Sequence, residues 1–330
     1  MTMRTAPTLF AATRAAAAES QLAISVDTLV EGVHFDADTP LEALGYKCVA
    51  VNLSDMAAMG ATPLNLQCAW SDPLTDLPWR EAVTHAIKRS ADAVPMSAQL
   101  AMVVAPRRQI SIQIVGEVPD GNALTRSNAR VGDQFWVSGT LGDAGGGLGL
   151  LRGHLQAREH DDRDYLLQRL HRPSPRLALG RALRGIASAA IDISDGIAGD
   201  ALHIAARSKV GIRIFAKRLP LSAALLRVAG TRRAQHLALG AGEDYELAFS
   251  APARCAAHIR RAAQRCQVAV HCIGDIVAGG SLVLLDEQMR ELPIPSAFDH
   301  FADRESEPHD RKITDTRNCG HSDEHEDIVR

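Results

Sequence analysis

AAIDISDGIAGDALHI, residues 189–204, is the stretch on which the fold turns. Residues 189–193 form an apolar run holding one acid, Asp192, and read as a strand. Ser194-Asp195-Gly196 breaks the run, and helical spacing takes over across 197–208. The same alternation extends in both directions. Downstream, 211–215, 245–250 and 268–276 read as strands; upstream, QFWVSG at 134–139 is a strand, with helices expected around 143–152 and 175–187. In the first third, QLAISVDTLVEGVHF (21–35) predicts a strand and then a turn. Leu41 to Met59 predicts a helix stopped by Gly60, and 79–94 a helix opened by Pro78. QISIQIVGEV (109–118) alternates Ile110, Ile112 and Ile114 with polar residues, as a half-buried strand does. Strands alternate with helices throughout, so the class is α/β or α+β.

The chain has 330 residues, enough for two domains at roughly 100–200 residues each. A turn-rich segment near 120 divides an expected N-terminal domain, 1–120, from a C-terminal one, 121–301. The stretch 302–330 carries nine acidic against five basic residues and almost no large apolar ones, so it reads as a disordered tail. Its Cys319, His321 and His325 have no frame to fix a metal geometry. A net charge of −3 and 4% aromatic residues argue against a nucleic-acid partner. No apolar run reaches the roughly 18 residues of a membrane span. Arg14 interrupts the short apolar run of the N-terminus, which argues against an export signal. The six scattered cysteines, without CxxC spacing, fit thiols in a reducing compartment, so the cytoplasm is expected.

The carboxylates carry the chemical signal. Asp27 ends a strand in SVDTL, and Asp55 sits in the helical VNLSDMAAMG on one face with Asn52. Asp192 and Asp195 flank Ser194, and Glu243, Asp244 and Glu246 cluster in GAGEDYEL. Taken singly, each reads as a turn, a cap or a solvated helix residue. Together, acids beside apolar strands require cations, and Mg²⁺ with its oxygen ligands and phosphate partners is the natural one. That points to phosphate chemistry with a nucleotide. The glycine-rich SGTLGDAGGGLGL (138–150) lacks the GK[ST] of a P-loop and the spacing of a dinucleotide fingerprint, so a tight turn is the better reading. Arg126, in ALTRSNARVGD, has the fork geometry that phosphate accepts, with a plain surface arginine as the competing reading.

SVDTLVEGVHF, VNLSDMAAMGATPL, ALTRSNARVGD, VSGTLGDAGGGL, RPSPRLALGRAL, IDISDG, GAGEDYEL and AFDHF occur in this order. In that order and spacing the chain resembles the thiamine-monophosphate kinase family from about residue 21 to 301. Single pieces such as DxSDG also occur in aminoimidazole ribonucleotide synthetase, selenophosphate synthetase and a hydrogenase-maturation protein. The resemblance implies a two-domain aminoimidazole ribonucleotide synthetase-like fold whose N-terminal domain pairs strands across a homodimer. It implies Mg²⁺-dependent transfer of the ATP γ-phosphoryl group to thiamine monophosphate. By matching positions, it implies Ser25, Asp27, Asp55, Asp192 and Asp195 as metal ligands, Arg126 and Ser194 as nucleotide contacts, and His34, Glu243 and Phe298 as substrate contacts.

Two acidic motifs of the family are missing. MTMRTAPTLFAAT has no acid before Glu19, and LAMVVAPRR stands where the family carries a metal-binding Asp, at or near Met102. Arg107 and Arg108 add positive charge there. These departures define an alternative reading, a member that binds thiamine phosphate or nucleotide without efficient turnover.

Overall fold

The computed structural model describes residues 16–72 and 77–295. Phe298, the N-terminal MTMRTAPTLFAAT and the tail 302–330 lie outside those residues, as do the side chains at 77, 99, 100 and 102–104.

The first sheet is built from β1 (Ser20–Val30), β2 (Thr62–Asp72), β3 (Ser97–Val104) and β4 (Gln109–Pro119), in the order β1-β4-β2-β3. β3 runs parallel to β2, and the other pairs are antiparallel. Its helices are α1 (Leu41–Ala58) and α2 (Leu77–Asp92). The alternation of β4 puts Ile110, Ile112 and Ile114 into one core with Leu44, Val51 and Met56 of α1. In the β1–β4 register Ser25 faces Ile114 and Asp27 faces Ile112. Both polar residues therefore stand on the face that α1 covers.

The second sheet has seven strands in the order β11-β10-β7-β9-β5-β8-β6. They are β5 (Asp133–Ser138), β6 (Ala189–Asp192), β7 (Gly211–Phe215), β8 (Leu247–Pro252), β9 (Val270–Val277), β10 (Leu282–Leu285) and β11 (Glu291–Leu292). Around it lie α3 (Asp143–Leu151), α4 (His160–His171), α5 (Leu177–Ala182), α6 (Ile197–Ser208), α7 (Ala223–Gly240) and α8 (Ala256–Arg265). The inner face of α6 (Ile197, Ala201, Ile204 and Ala205) packs on β5, β6 and β7.

α1 is buried on nearly every side. One flank meets α2 and the first sheet; the other carries Ala57 and Ala58 into a core with Leu179, Ala190, Leu247 and Phe249 of the second. The two halves thus share a hydrophobic core across α1, with Leu177 and Tyr245 of the second half also packed on the first cluster. Gly180 makes this approach possible, because a Cβ there would lie 2.0 Å from the Ala57 carbonyl oxygen.

Candidate active site

Four segments meet around α1: the middle of β1 and the end of β6 at its C-terminal half, the loop 242–246 at Lys47, and the start of α6 through the turn after β6. Ser25 Oγ donates a hydrogen bond to Asp55 Oδ2, tying β1 to α1. One residue earlier on the helix, Ser54 Oγ donates to Asp192 Oδ2 at 2.8 Å, tying α1 to β6. Adjacent residues on α1 therefore hold carboxyl groups across the junction of the two sheets.

Asp192 is 5% exposed. Burial pushes its carboxyl up to about 7, and the charges of Asp55 and Asp27 act in the same direction. Burial also raises Asp55, against the Ser25 hydrogen bond and the charge of Arg126. Asp55 of α1 and Asp27 of β1 thus both bear on Asp192 of β6. The turn after β6 adds Ser194, whose Oγ donates to Asp195 Oδ1 at 3.3 Å. Asp200, in the first turn of α6, accepts the Asp195 N–H at 3.2 Å and is pushed up to about 8 by burial, then by Asp192 and Asp195. Arg126 opposes the shifts of both Asp55 and Asp200, and its carbonyl accepts a hydrogen bond from Ser208 Oγ at 2.8 Å.

The loop 242–246 is laid against the β6 turn by two backbone bonds, Glu243 N–H to Ser194 O at 2.7 Å and Tyr245 N–H to Ile193 O at 2.8 Å. Gly242, Glu243 and Tyr245 all take positive φ, and a Cβ at Gly242 would lie 2.3 Å from the Ser194 carbonyl oxygen. Left-handed backbone at two non-glycine residues is costly, and it persists where surrounding contacts over-determine it. Those contacts are strong. Glu246 is fully buried and receives both donors of the Arg176 fork, Arg169 Nη2 at 2.9 Å and Ser138 Oγ at 2.6 Å. Tyr245 packs against the first core, and its phenol is held well above its usual value by burial and by Glu243, Asp27, Asp192 and Asp55.

His34 lies in the turn after β1, with Nδ1 accepting the Val30 N–H at 3.0 Å, which leaves the ring proton on Nε2. Glu243 forms an ion pair with Lys47 of α1. Of the ten expected site residues, Phe298 alone lies outside the described ones. Ser25, Asp55 and Asp192 are drawn together by hydrogen bonds through α1, and Ser194, Asp195 and Glu243 by the loop pairing. Among the described residues, no three His, Cys, Asp or Glu side chains form a ready-made metal cage. Lys47, Ser54, Asp200 and Tyr245 are additions that the sequence reading did not select. Lys47 had a signal, a lone cation inside the apolar run LGYKCVAV.

Only the start of the glycine-rich segment, 139–142, is the tight turn that its spacing suggests; from Asp143 onward it is helix α3. Its N–H groups are already engaged: Gly142 N–H donates to Asp244 Oδ2 at 2.7 Å and Ala144 N–H to Oδ1 at 3.5 Å. A carboxylate of the chain itself occupies the place a phosphate would take. Arg108 is likewise absorbed locally, by Glu31 at 3.2 Å, Asp72 at 3.5 Å and the face of Trp79 at 4.8 Å.

Comparison with known proteins adds the following. The families described as AIR synthase related protein, N-terminal domain, and AIR synthase related protein, C-terminal domain, match residues 11–117 and 130–287. The thiamine-monophosphate kinase of Salmonella typhimurium is 40% identical over 284 residues, covering 85% of this chain and 87% of that protein. The chain belongs to the thiamine-monophosphate kinase family. A crystal structure of the family from Stenotrophomonas maltophilia is 40% identical, with a TM-score of 0.77, over 81% of this chain and 86% of that one. The AaThiL structure complexed with AMPPCP and TMP is 30% identical, with a TM-score of 0.76, over 87% and 89% of the two chains. The family's two-domain AIR synthase-like architecture is the one described above, with a four-stranded and a seven-stranded sheet.

Proposed function

We propose that this chain phosphorylates thiamine monophosphate with ATP, giving thiamine diphosphate. The observation that carries the reading is the pair of hydrogen bonds, Ser25 to Asp55 and Ser54 to Asp192, that brings carboxylates from α1 and β6 together at the junction of two sheets, in a chain 40% identical to a thiamine-monophosphate kinase. The reaction is a phosphoryl transfer, which needs positioning and charge neutralisation more than a covalent nucleophile. A phosphate oxygen of the acceptor attacks the ATP γ-phosphorus in line, and ADP leaves.

The oxygen donors Ser25, Asp27, Asp55, Asp192 and Asp195 suit Mg²⁺, a hard cation that takes one or two carboxylates and completes its shell with water and phosphate oxygens. The raising of Asp192 by burial and by Asp55 and Asp27 supports this, because crowded, partly buried carboxylates favour a bound cation. Bound Mg²⁺ would neutralise charge on the transferring phosphates. In this reading Arg126 and Ser194 contact the nucleotide, and His34, Glu243 and Phe298 contact thiamine monophosphate. Asp200 holds the Asp195 backbone, and Ser54 aims Asp192.

The reading includes a homodimer formed through the outer face of the first sheet. There the even-numbered residues of β1, Leu22, Ile24 and Val26, are 58%, 55% and 60% exposed, an apolar stripe on an edge strand. It also includes a division near residue 120 and a cytoplasmic location. In support of the latter, the cysteines among the described residues are free, and no described helix is long and apolar enough to cross a membrane. The alternative of a binder without turnover has no observation of its own in the folded chain. The test is direct: purified protein with thiamine monophosphate, ATP and Mg²⁺ should form thiamine diphosphate. No product above an enzyme-free control at saturating Mg²⁺ would overturn the proposal.

A further inference from the structure

Lys47 is the only lysine or arginine among the buried described residues, at 8% exposure. It projects from α1, a helix of the first domain, and its ion-pair partner Glu243 belongs to the loop before β8 of the second. An ammonium in such a place is costly unless a carboxylate meets it. The pair is asymmetric: the Lys47 side chain is 10% exposed and that of Glu243 is 28% exposed. The cation is thus the more deeply covered partner, and the Glu243 Oε2 that meets it is itself buried. Neighbouring contacts fix this turn of α1. Tyr46 OH donates to the Pro173 carbonyl at 3.0 Å, and the Arg172 guanidinium sits 4.3 Å over the Tyr46 ring. The Glu243 backbone is fixed independently, by its positive φ and its N–H bond to Ser194 O. Lys47 is its one ion-pair partner among the described residues.

We propose that Lys47 is a positioning residue for the acceptor substrate. From the first domain it holds the Glu243 carboxylate of the second in its working direction, so that the Glu243 contact forms only when the two domains are docked. The inference rests on the reading of Glu243 as a contact to thiamine monophosphate, and the experiment separates the two.

Steady-state kinetics would be measured for Lys47→Met, Lys47→Arg, Glu243→Gln and the Lys47→Met/Glu243→Gln pair, varying each substrate in turn, with thermal melts alongside. Lys47→Met should raise the KM for thiamine monophosphate about tenfold, leaving kcat and the KM for ATP within about twofold. Lys47→Arg should recover the KM to within about threefold, and the double variant should be no worse than Glu243→Gln alone. If Lys47→Met does not fold, Lys47→Gln takes its place under the same criteria. A raised KM in Glu243→Gln with none in Lys47→Met overturns the positioning role and keeps the substrate contact. No change in Glu243→Gln overturns the substrate contact, and the positioning role with it. Equal rises in both KM values, with a lowered melting temperature, assign Lys47 to the fold alone and also overturn the proposal.

Discussion

Asp192 joins the costs and the uses of this site in one side chain. It is buried, it accepts one hydrogen bond from Ser54, and its carboxyl is pushed up to about 7 by burial and by Asp55. In the unfolded chain it titrates near the ordinary value of about 4. The folded state therefore binds its proton more tightly. Stability from this group is fully present below about 4 and is lost as pH rises through about 7. Without metal, Asp192→Asn should flatten this loss: at pH 8 in chelator the variant should melt higher than the wild type, and at pH 4 the two should coincide. Mg²⁺ should raise the wild-type melting temperature more at pH 8 than at pH 5, and the variant's much less. Its kinase activity should fall by about 100-fold or more. A variant that melts lower at pH 8, or keeps full activity, would refute this account of the residue.

Among the elements, α1 carries the architecture because it is packed on both flanks. Gly180→Ala is the sharpest probe, since the added methyl meets the Ala57 carbonyl oxygen. Separating α5 from α1 should cost about 1–3 kcal/mol, read by denaturant titration at unchanged m-value. The same helix shows what the sequence could and could not reveal. Its limits follow from spacing and from Gly60, and α6 and β7 follow from clean alternations of apolar and polar residues. β2 and β3 escape a periodic reading: Thr62–Asp72 holds Pro63 and a register shift, and β3 is an edge strand paired on one side only. α4 (HDDRDYLLQRLH) is too polar to announce itself, and α7 contains a break at Gly230. The acids of the site were legible as carboxylates beside apolar strands. Ser54 and Asp200 were not, because their roles depend on partners 138 and 5 residues away in the chain.

At the scale of the molecule, the exposed stripe of β1 makes the strongest statement about assembly. Ile24→Glu with Val26→Glu should convert a dimer to a monomer, measured by light scattering on a sizing column. The wild type already running as a monomer would remove this face as an interface. The charge is divided unequally along the sequence. The tail 302–330 holds nine of the 39 acidic residues and only five of the 36 basic ones, which leaves residues 1–301 close to neutral.

The shared core through α1 has a consequence for how the chain is made. Ala57 and Ala58 end the first described helix to leave the ribosome, yet Leu247 and Phe249, which cover them, lie in β8, about 190 residues later. Contacts of such separation close late. Until β8 emerges, the nascent chain presents one flank of a finished helix to the solvent, with Lys47 lacking its carboxylate. Growth of the N-terminal part alone should therefore need a chaperone or aggregate, and catalysis should switch on only with the last quarter of the chain.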